Sequence, residues 1–288
     1  MEAATIINRD KADREAVEQA LRAAGIEGPV ETVEGKHIAA RAKQLVEQGA
    51  KRIIVGGGDG SISAAAQAVA GSDVALGILP LGTLNHFARD LGIPFELDRA
   101  AALIAKGHVR AVDIAEVNGR TFVNNSAIGL YPLMVVDRES QQRRLGRSKR
   151  LAMLVASLRT LARFHDHRLT LTSGEGPSSV DTPLLFVGNN DYELALPAAG
   201  RREALDDGKL CVMVMRKKGV AGFLAATFRA LIGLTRPHDM VRMDAVTRLR
   251  VDSGRPALTI SVDGETCRLA PPLDYRIRPG ALRVIAPA

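Results

Sequence analysis

The stretch Ile53-Ile54-Val55-Gly56-Gly57-Gly58-Asp59-Gly60-Ser61 runs from an apolar strand into a glycine loop and then into a helix of small residues. A second apolar strand, 74–79, leads into Pro80-Leu81-Gly82-Thr83-Leu84-Asn85-His86-Phe87-Ala88-Arg89. Two successive strand ends thus each open into a glycine-containing loop that starts a helix. Backbone N–H groups at such loops lack partners and point outward, which makes an anion site suited to phosphate. Glycine permits the close approach and the unusual dihedrals that a side chain would block. Asp59 is out of place in a phosphate cradle unless it holds a metal, accepts a proton or caps a turn or helix.

Working outward, 4–8, 30–33 and 51–55 read as strands alternating with helices over 11–24 and 37–48, and 95–106 as a further helix. The apolar spacing of Ile38, Ala42, Leu45 and Val46 is helical. This βαβαβ opening predicts a parallel sheet covered by helices, with ligands outside the carboxyl ends of the strands. The pattern changes near Val109: 109–117 alternates, Asn118-Gly119 marks a hairpin and 120–124 pairs back. Short segments at 168–172, 184–187, 210–215, 246–251, 258–262 and 282–285 follow, as in a sandwich. The expected fold is an N-terminal Rossmann-like α/β domain over 1–115 and a β-rich, sandwich-like domain with inserted helices over 116–288.

The 288 residues suit two domains, and a 46% hydrophobic content suits real cores. A net charge of +7 favours anionic partners. Only 3% of residues are aromatic and Trp is absent, so a nucleic-acid partner is not expected. Cys211 and Cys267 are too few for a disulfide framework or zinc site. No signal peptide and no run of about 20 apolar residues is visible. Basic residues adjoin two apolar helical stripes, within 138–164 and 216–236, a pattern that fits a membrane surface. The first stripe is Leu151, Leu154, Val155, Leu158 and Leu161; the second is Leu224, Thr227, Phe228 and Leu231. The alternative is that both stripes pack on the sandwich. The expectation is a cytoplasmic protein in peripheral contact with the inner face of the membrane; a homodimer is compatible with it.

Gly57-Gly58-Asp59-Gly60-Ser61 followed by Leu79-Pro80-Leu81-Gly82-Thr83-Leu84-Asn85-His86-Phe87-Ala88-Arg89 resembles the diacylglycerol/sphingosine lipid kinase family. The resemblance implies an ATP- and Mg²⁺-dependent kinase acting on a lipid hydroxyl. It implies a nucleotide site of Gly57, Gly58, Gly60, Ser61 and Ser63, with Gly82, Thr83 and Asn85 from the second loop. Asn8 and Thr32 join that site. Asp59 and Glu265, the latter in Ser261-Val262-Asp263-Gly264-Glu265, are the implied catalytic carboxylates, and which one is the base stays open. Asp59 is expected to serve chemistry and not packing. Asp263-Gly264 also suits a type I′ hairpin turn. Asp206-Asp207-Gly208-Lys209-Leu210 resembles a structural magnesium element, with Asp207 and the carbonyls of Ala204 and Lys209 as ligands.

This chain departs from the family pattern at Arg9-Asp10-Lys11-Ala12, at His86 and at Cys211. Arg9 or Lys11 stands within reach of a phosphate. An NAD kinase-like soluble kinase shares the glycine-aspartate loop, as does phosphofructokinase, and a non-catalytic nucleotide- or lipid-binding protein of the same fold is the remaining alternative.

Overall fold

The computed structural model describes residues 3–11, 13–129, 166–174, 176–194, 200–216, 219–234, 236 and 238–288. The first half alternates as expected: β1 (Ala3–Asn8), α1 (Arg14–Ala23), β2 (Val30–Val33), α2 (Ile38–Glu47), β3 (Arg52–Gly57), α3 (Asp59–Val69) and β4 (Ala75–Pro80). Strands β1 to β4 pair in parallel in the order β2-β1-β3-β4. The near-continuous apolar runs of β1, β3 and β4 are buried on both faces, as helices on both sides require, whereas the edge strand β2 buries only Val30. Helix α1 starts at Asp13, whose side chain accepts from the Glu15 N–H. The short α4 (His86–Asp90) and α5 (Leu97–Lys106) complete the layer.

Beyond it come β5 (His108–Val117), β6 (Arg120–Phe122) and β7 (Asn125–Gly129), then β8 (His167–Ser173), β9 (Gly176–Thr182), β10 (Leu184–Asn189) and β11 (Leu210–Met215). Helix α6 (Gly219–Leu231) precedes β12 (Met240–Val246), β13 (Arg248–Asp252), β14 (Leu258–Val262), β15 (Glu265–Leu269) and β16 (Leu273–Ala286). An antiparallel sheet of order β12-β11-β10-β7-β14-β15 faces the β5, β8, β13 and β16 part of the first sheet. The apolar core between them holds Phe122, Leu185, Val212, Ile260 and Tyr275.

Three features differ from the expected layout. The first sheet does not stop at residue 115: β5 crosses that point, and β16 lies between β4 and β13, parallel to β4 and antiparallel to β5 along nearly its whole length. A register shift between Arg278 and Leu282, at Pro279-Gly280, bends β16 so that one strand serves both layers. The single strand expected over 246–251 is two, because the chain leaves one sheet at Val246 and enters the other at Arg248. Strand β9 escapes the alternation rule, since Gly176-Pro177-Ser178-Ser179-Val180-Asp181-Thr182 is a mostly polar sheet edge.

Candidate active site

The two glycine loops fold against each other at the carboxyl ends of β3 and β4. Leu81 N–H donates to Gly57 O (2.9 Å), and a Cβ on Gly82 would lie 2.6 Å from Gly58 Cα. A Cβ on Gly57 would lie 2.5 Å from Ser61 Cβ. Close packing, and not backbone twist, therefore requires glycine at both positions: at 57 against the first turn of α3, and at 82 against the other loop. Asn85 sits in the left-handed region (φ 49°). Its Oδ1 accepts from Gly82 N–H (3.0 Å), and its Nδ2 donates to Pro80 O (3.2 Å) and Gly82 O (3.1 Å). Asn85 shapes the second loop from inside.

Asp59 caps the next helix. Its Oδ2 accepts from Asn85 N–H (2.9 Å) and its Oδ1 from His86 N–H (2.7 Å), so it ties the first loop to the start of α4. The expectation that Asp59 is free of structural duty is thereby corrected. Arg89 Nη2 donates to His86 Nδ1 (2.9 Å), which leaves the ring proton on Nε2.

A cleft of about 470 Å³ opens above α3, lined by Asn8, Lys11, Gly58, Gly60, Ser61 and Thr83 among others. Gly35, Lys36 and Gly82 complete it, with Asp59, Leu84 and Glu265 on the far wall. The Ser61 and Ile62 amides turn back onto Gly58 O, so the donors of the first helical turn ahead of them lie at its floor. The unusual Arg9-Asp10-Lys11 loop forms a turn on Asn8, with Asp10 N–H on Asn8 Oδ1 (3.0 Å) and Lys11 N–H on Asn8 O (3.0 Å). Asn8 Nδ2 donates to Ser61 Oγ (2.8 Å). Lys11 lines the cleft, whereas Arg9 pairs with Glu34 at 3.7 Å. Of the residues expected to hold a nucleotide, Asn8, Gly58, Gly60, Ser61, Gly82 and Thr83 meet here. Gly57 and Asn85 pack behind the loops, and Thr32 is on β2, outside the lining. Ser63 turns the other way, and its hydroxyl donates to Asp263.

Asp263 is a site residue that sequence reasoning assigned only to a turn. The turn is present: Val262 pairs with Glu265 across Asp263 (φ 46°) and Gly264 (φ 82°), both in the left-handed region of a type I′ hairpin. The Asp263 carboxylate also accepts from Ser63 Oγ, Val123 N–H (2.9 Å), Asn124 N–H (2.8 Å) and Asn125 N–H (3.1 Å). Burial pushes its pKa above the ordinary carboxylate value while those four donors pull it back. The turn is thereby bolted to α3 and to the start of β7, and it presents Glu265 to the cleft. Glu265 is exposed, its carboxylate accepts no hydrogen bond from the described residues, and its Oε1 lies 4.0 Å from a Cβ built on Gly60.

A second pocket, of about 610 Å³, adjoins the first and shares Asp59, Gly60, Leu84 and Glu265 with it. Its floor is apolar, with Leu184, Phe186, Leu194, Met213, Met215 and Met240. Tyr192 stands in its wall, its phenol buried and its pKa pushed up to about 12 by that burial. Behind it, Arg202 is fully buried: Nε donates to Asp90 Oδ2 (2.8 Å), Nη1 to Asn189 O (3.2 Å) and Val123 O, and Nη2 to Asn124 Oδ1 (3.0 Å). The guanidinium also lies over the rings of Tyr192 (5.2 Å) and Phe87 (5.8 Å). No spacing or motif marked this residue.

The residues expected to bind magnesium, Ala204, Asp207 and Lys209, lie on the loop that leads into β11. Asp207 is exposed, and Lys209 O accepts from Asn190 N–H (3.1 Å). The loop is folded by buried Asp113, whose carboxylate accepts from Gly208 N–H (2.7 Å) and Gly280 N–H (2.9 Å). These hydrogen bonds fix the loop that carries Asp207 and Lys209. At the junction of the two pockets, Asp59 and Glu265 fit the other habit of Mg²⁺, which takes one or two carboxylates together with substrate phosphates.

Comparison with known proteins agrees with this geometry. Residues 6–117 match the diacylglycerol kinase catalytic domain, and residues 134–286 match the YegS C-terminal NAD kinase beta sandwich-like domain. A protein of Pseudomonas syringae pv. syringae (strain B728a), named "Probable lipid kinase YegS-like", is 32% identical over 260 residues, which span 86% of this chain and 81% of that one. A diacylglycerol kinase structure from Bacillus anthracis str. Sterne superposes with a TM-score of 0.71 at 20% identity, covering 99% of this chain and 96% of that one. Yeast NADH kinase complexed with NADH shares the fold at a TM-score of 0.56 and 10% identity, covering 100% and 84%.

Proposed function

The chain belongs to the YegS-like lipid kinases, with their diacylglycerol kinase catalytic domain, and from that premise we propose that it is an ATP- and Mg²⁺-dependent kinase that transfers the γ-phosphoryl group to a lipid hydroxyl, diacylglycerol-like or sphingoid. The observation that carries the proposal is the meeting of two unlike pockets at Asp59, Gly60, Leu84 and Glu265. One is polar, floored by helix-start donors and flanked by Lys11 and Lys36; the other is apolar. Phosphoryl transfer asks the protein mainly for positioning and charge stabilisation. Bound Mg²⁺ would neutralise the phosphate charge, with Asp59 at the junction as the carboxylate that would hold it.

Within this reading each residue has a defined task. The first-turn amides of α3 and the loop at Gly82-Thr83 seat the phosphates. Lys11 and Lys36 balance their charge. Glu265, unencumbered and at the boundary, accepts the proton of the lipid hydroxyl. Asp59 keeps the two loops in register, since both its oxygens already accept backbone N–H groups. A dinucleotide acceptor, as in the NADH kinase, is poorly matched to a floor of leucine, phenylalanine and methionine.

The proposal puts the protein in the cytoplasm, touching the inner membrane face peripherally. No helix among the described residues is long and apolar enough to cross a membrane. Helix α6 buries Ala226 and Ala230 and leaves Leu224 and Phe228 of its stripe exposed, with exposed Ile232 and Leu234 just beyond its end, which supports membrane contact over packing on the sandwich. Exposed Arg216 and Arg236 flank it. The other basic stretch, 138–164, lies outside the described residues.

The test is phosphate transfer from labelled ATP with Mg²⁺ to a panel of lipids in mixed micelles, with NAD alongside. Transfer to a lipid that vanishes in Glu265→Gln supports the proposal. Transfer to NAD alone, or to nothing while ATP still binds, refutes it.

A further inference from the structure

Resting on the kinase reading, we propose that His86 is a further catalytic residue, whose Nε2–H donates a hydrogen bond to the phosphoryl group as it crosses to the acceptor side of the junction. Placement is the first argument. His86 lines the apolar pocket and not the phosphate cleft, beside Asp59, Gly60, Leu84 and Glu265, which line both. In the cleft a phosphate is served by the first-turn amides of α3 and by Lys11 and Lys36. The phosphorus reaches the side that His86 occupies only as it moves toward an acceptor in the pocket. A contact made late in transfer and absent from bound ATP lowers the barrier without tightening the ground state.

The state of the ring is the second. Arginine only donates, so the 2.9 Å bond from Arg89 Nη2 makes Nδ1 the acceptor and leaves the proton on Nε2. Arg89 is itself placed by Asp90, whose Oδ1 lies 3.8 Å from its Nε and whose Oδ2 carries the buried Arg202. Asp59 Oδ1 holds the His86 backbone N–H at 2.7 Å. The residue is thus anchored at its backbone and at Nδ1, while Nε2–H has no acceptor among the described residues. The half-buried ring has one hydrogen bond left to give.

Charge is the third. Asp59, Asp90, Glu193, Asp263 and Glu265 line this pocket, and His86 is the one cationisable side chain among its described lining residues. A phosphoryl group arriving here leaves the two lysines behind and enters a wall of carboxylates. A ring N–H offers it a donor without adding negative charge. In the step, the bond from phosphorus to the β–γ bridging oxygen breaks and its electron pair leaves on ADP. The acceptor oxygen bonds to phosphorus, and the hydroxyl proton passes to Glu265. His86 keeps its own proton throughout.

Two readouts on the full chain test the inference. In the transfer assay, His86→Ala should lower kcat by about ten- to a hundredfold with the KM for ATP unchanged. His86→Gln, whose side-chain N–H stands close to the position of Nε2–H, should recover most of that loss. His86→Asp, which adds a carboxylate instead, should be at least as slow as His86→Ala. The second readout is the Nε2–H resonance of His86 in the ¹⁵N-labelled chain. It should shift when Mg²⁺, ADP and aluminium fluoride, a stand-in for the phosphoryl group in flight, are added together, and not with ADP and Mg²⁺ alone. Parent-level kcat in His86→Ala, or a His86→Gln no faster than His86→Ala, overturns the inference and leaves the kinase reading standing. If the parent chain phosphorylates no acceptor, the kinase reading fails and the resonance alone decides: a shift with aluminium fluoride supports the contact, and an unmoved resonance overturns it.

Discussion

Replacing Arg202 by methionine is the sharpest test of how the two halves are joined. The guanidinium and its partner Asp90 are 0% and 2% exposed, and their 2.8 Å contact links α4 of the nucleotide half to the acceptor half. Methionine fills much of the same volume and removes only the charge and the donors. Asp90 is then a buried carboxylate left with only the more distant Arg89 (Nε to Oδ1 3.8 Å) as counter-charge, and Val123 O, Asn189 O and Asn124 Oδ1 each lose a donor. Breaking a buried pair from one side costs about 3–5 kcal/mol. At roughly 2–4 °C per kcal/mol for a chain of this size, Tm should fall by about 6–20 °C. The assay is thermal and urea unfolding followed by circular dichroism, on Arg202→Met, Asp90→Asn and the double variant. Removing the stranded charge should return part of the loss, so the double variant should be more stable than Arg202→Met alone. A Tm within about 2 °C of the parent, or a double variant no better than the single, would refute the reasoning.

Four further outcomes are expected. Glu265→Gln should lower the transfer rate by on the order of 10²–10⁴ with Tm unchanged, because the side chain is exposed and accepts no bond from the described residues; a loss of stability would make it structural instead. Ser63→Ala and Asp263→Asn should each destabilise, by about 1–3 kcal/mol for each donor left without its acceptor or charged partner, and should be coupled in a double-mutant cycle; strict additivity would deny their bond. The Arg229 guanidinium holds the Asp239 carboxyl at about 2, down from 3.8, so the docking of α6 that this pair provides is complete above pH 3.8 and is lost as pH falls toward 2. Hydrogen exchange in α6 should accelerate across that window, and the step should be missing in Arg229→Gln. Binding to anionic vesicles should weaken steeply with salt if α6 and its arginines meet the membrane; salt-independent binding would leave docking purely apolar.

The parts of this site that were legible in the sequence are those whose cause is local. Glycines at 57 and 82 follow strands, and their spacing alone announced two loops at one sheet edge. The duties of Asp59 and Asp263 were legible only in half, because each has a local habit, capping or turning, and a distant partner that no periodicity reveals. Asp59 reaches across to Asn85 and His86, and Asp263 to Ser63 and Val123. Arg202 was invisible, since a lone arginine beside Gly200-Arg201 reads as surface until the fold buries it. The long β16 was read as a short strand because Pro279-Gly280 looks like a break, whereas here it is the bend that lets one strand serve two layers.

That strand also sets an order of events during synthesis. The parallel sheet of β1 to β4 is translated first, yet the place beside β4 belongs to residues 283 and 284. Until the ribosome has made them, β4 presents an unpaired edge, and β5 lacks the partner that it meets from residue 275 to residue 286. An exposed parallel edge is a template for the wrong partner, including another nascent copy. Closure of the nucleotide half is thus deferred until the acceptor half has been made.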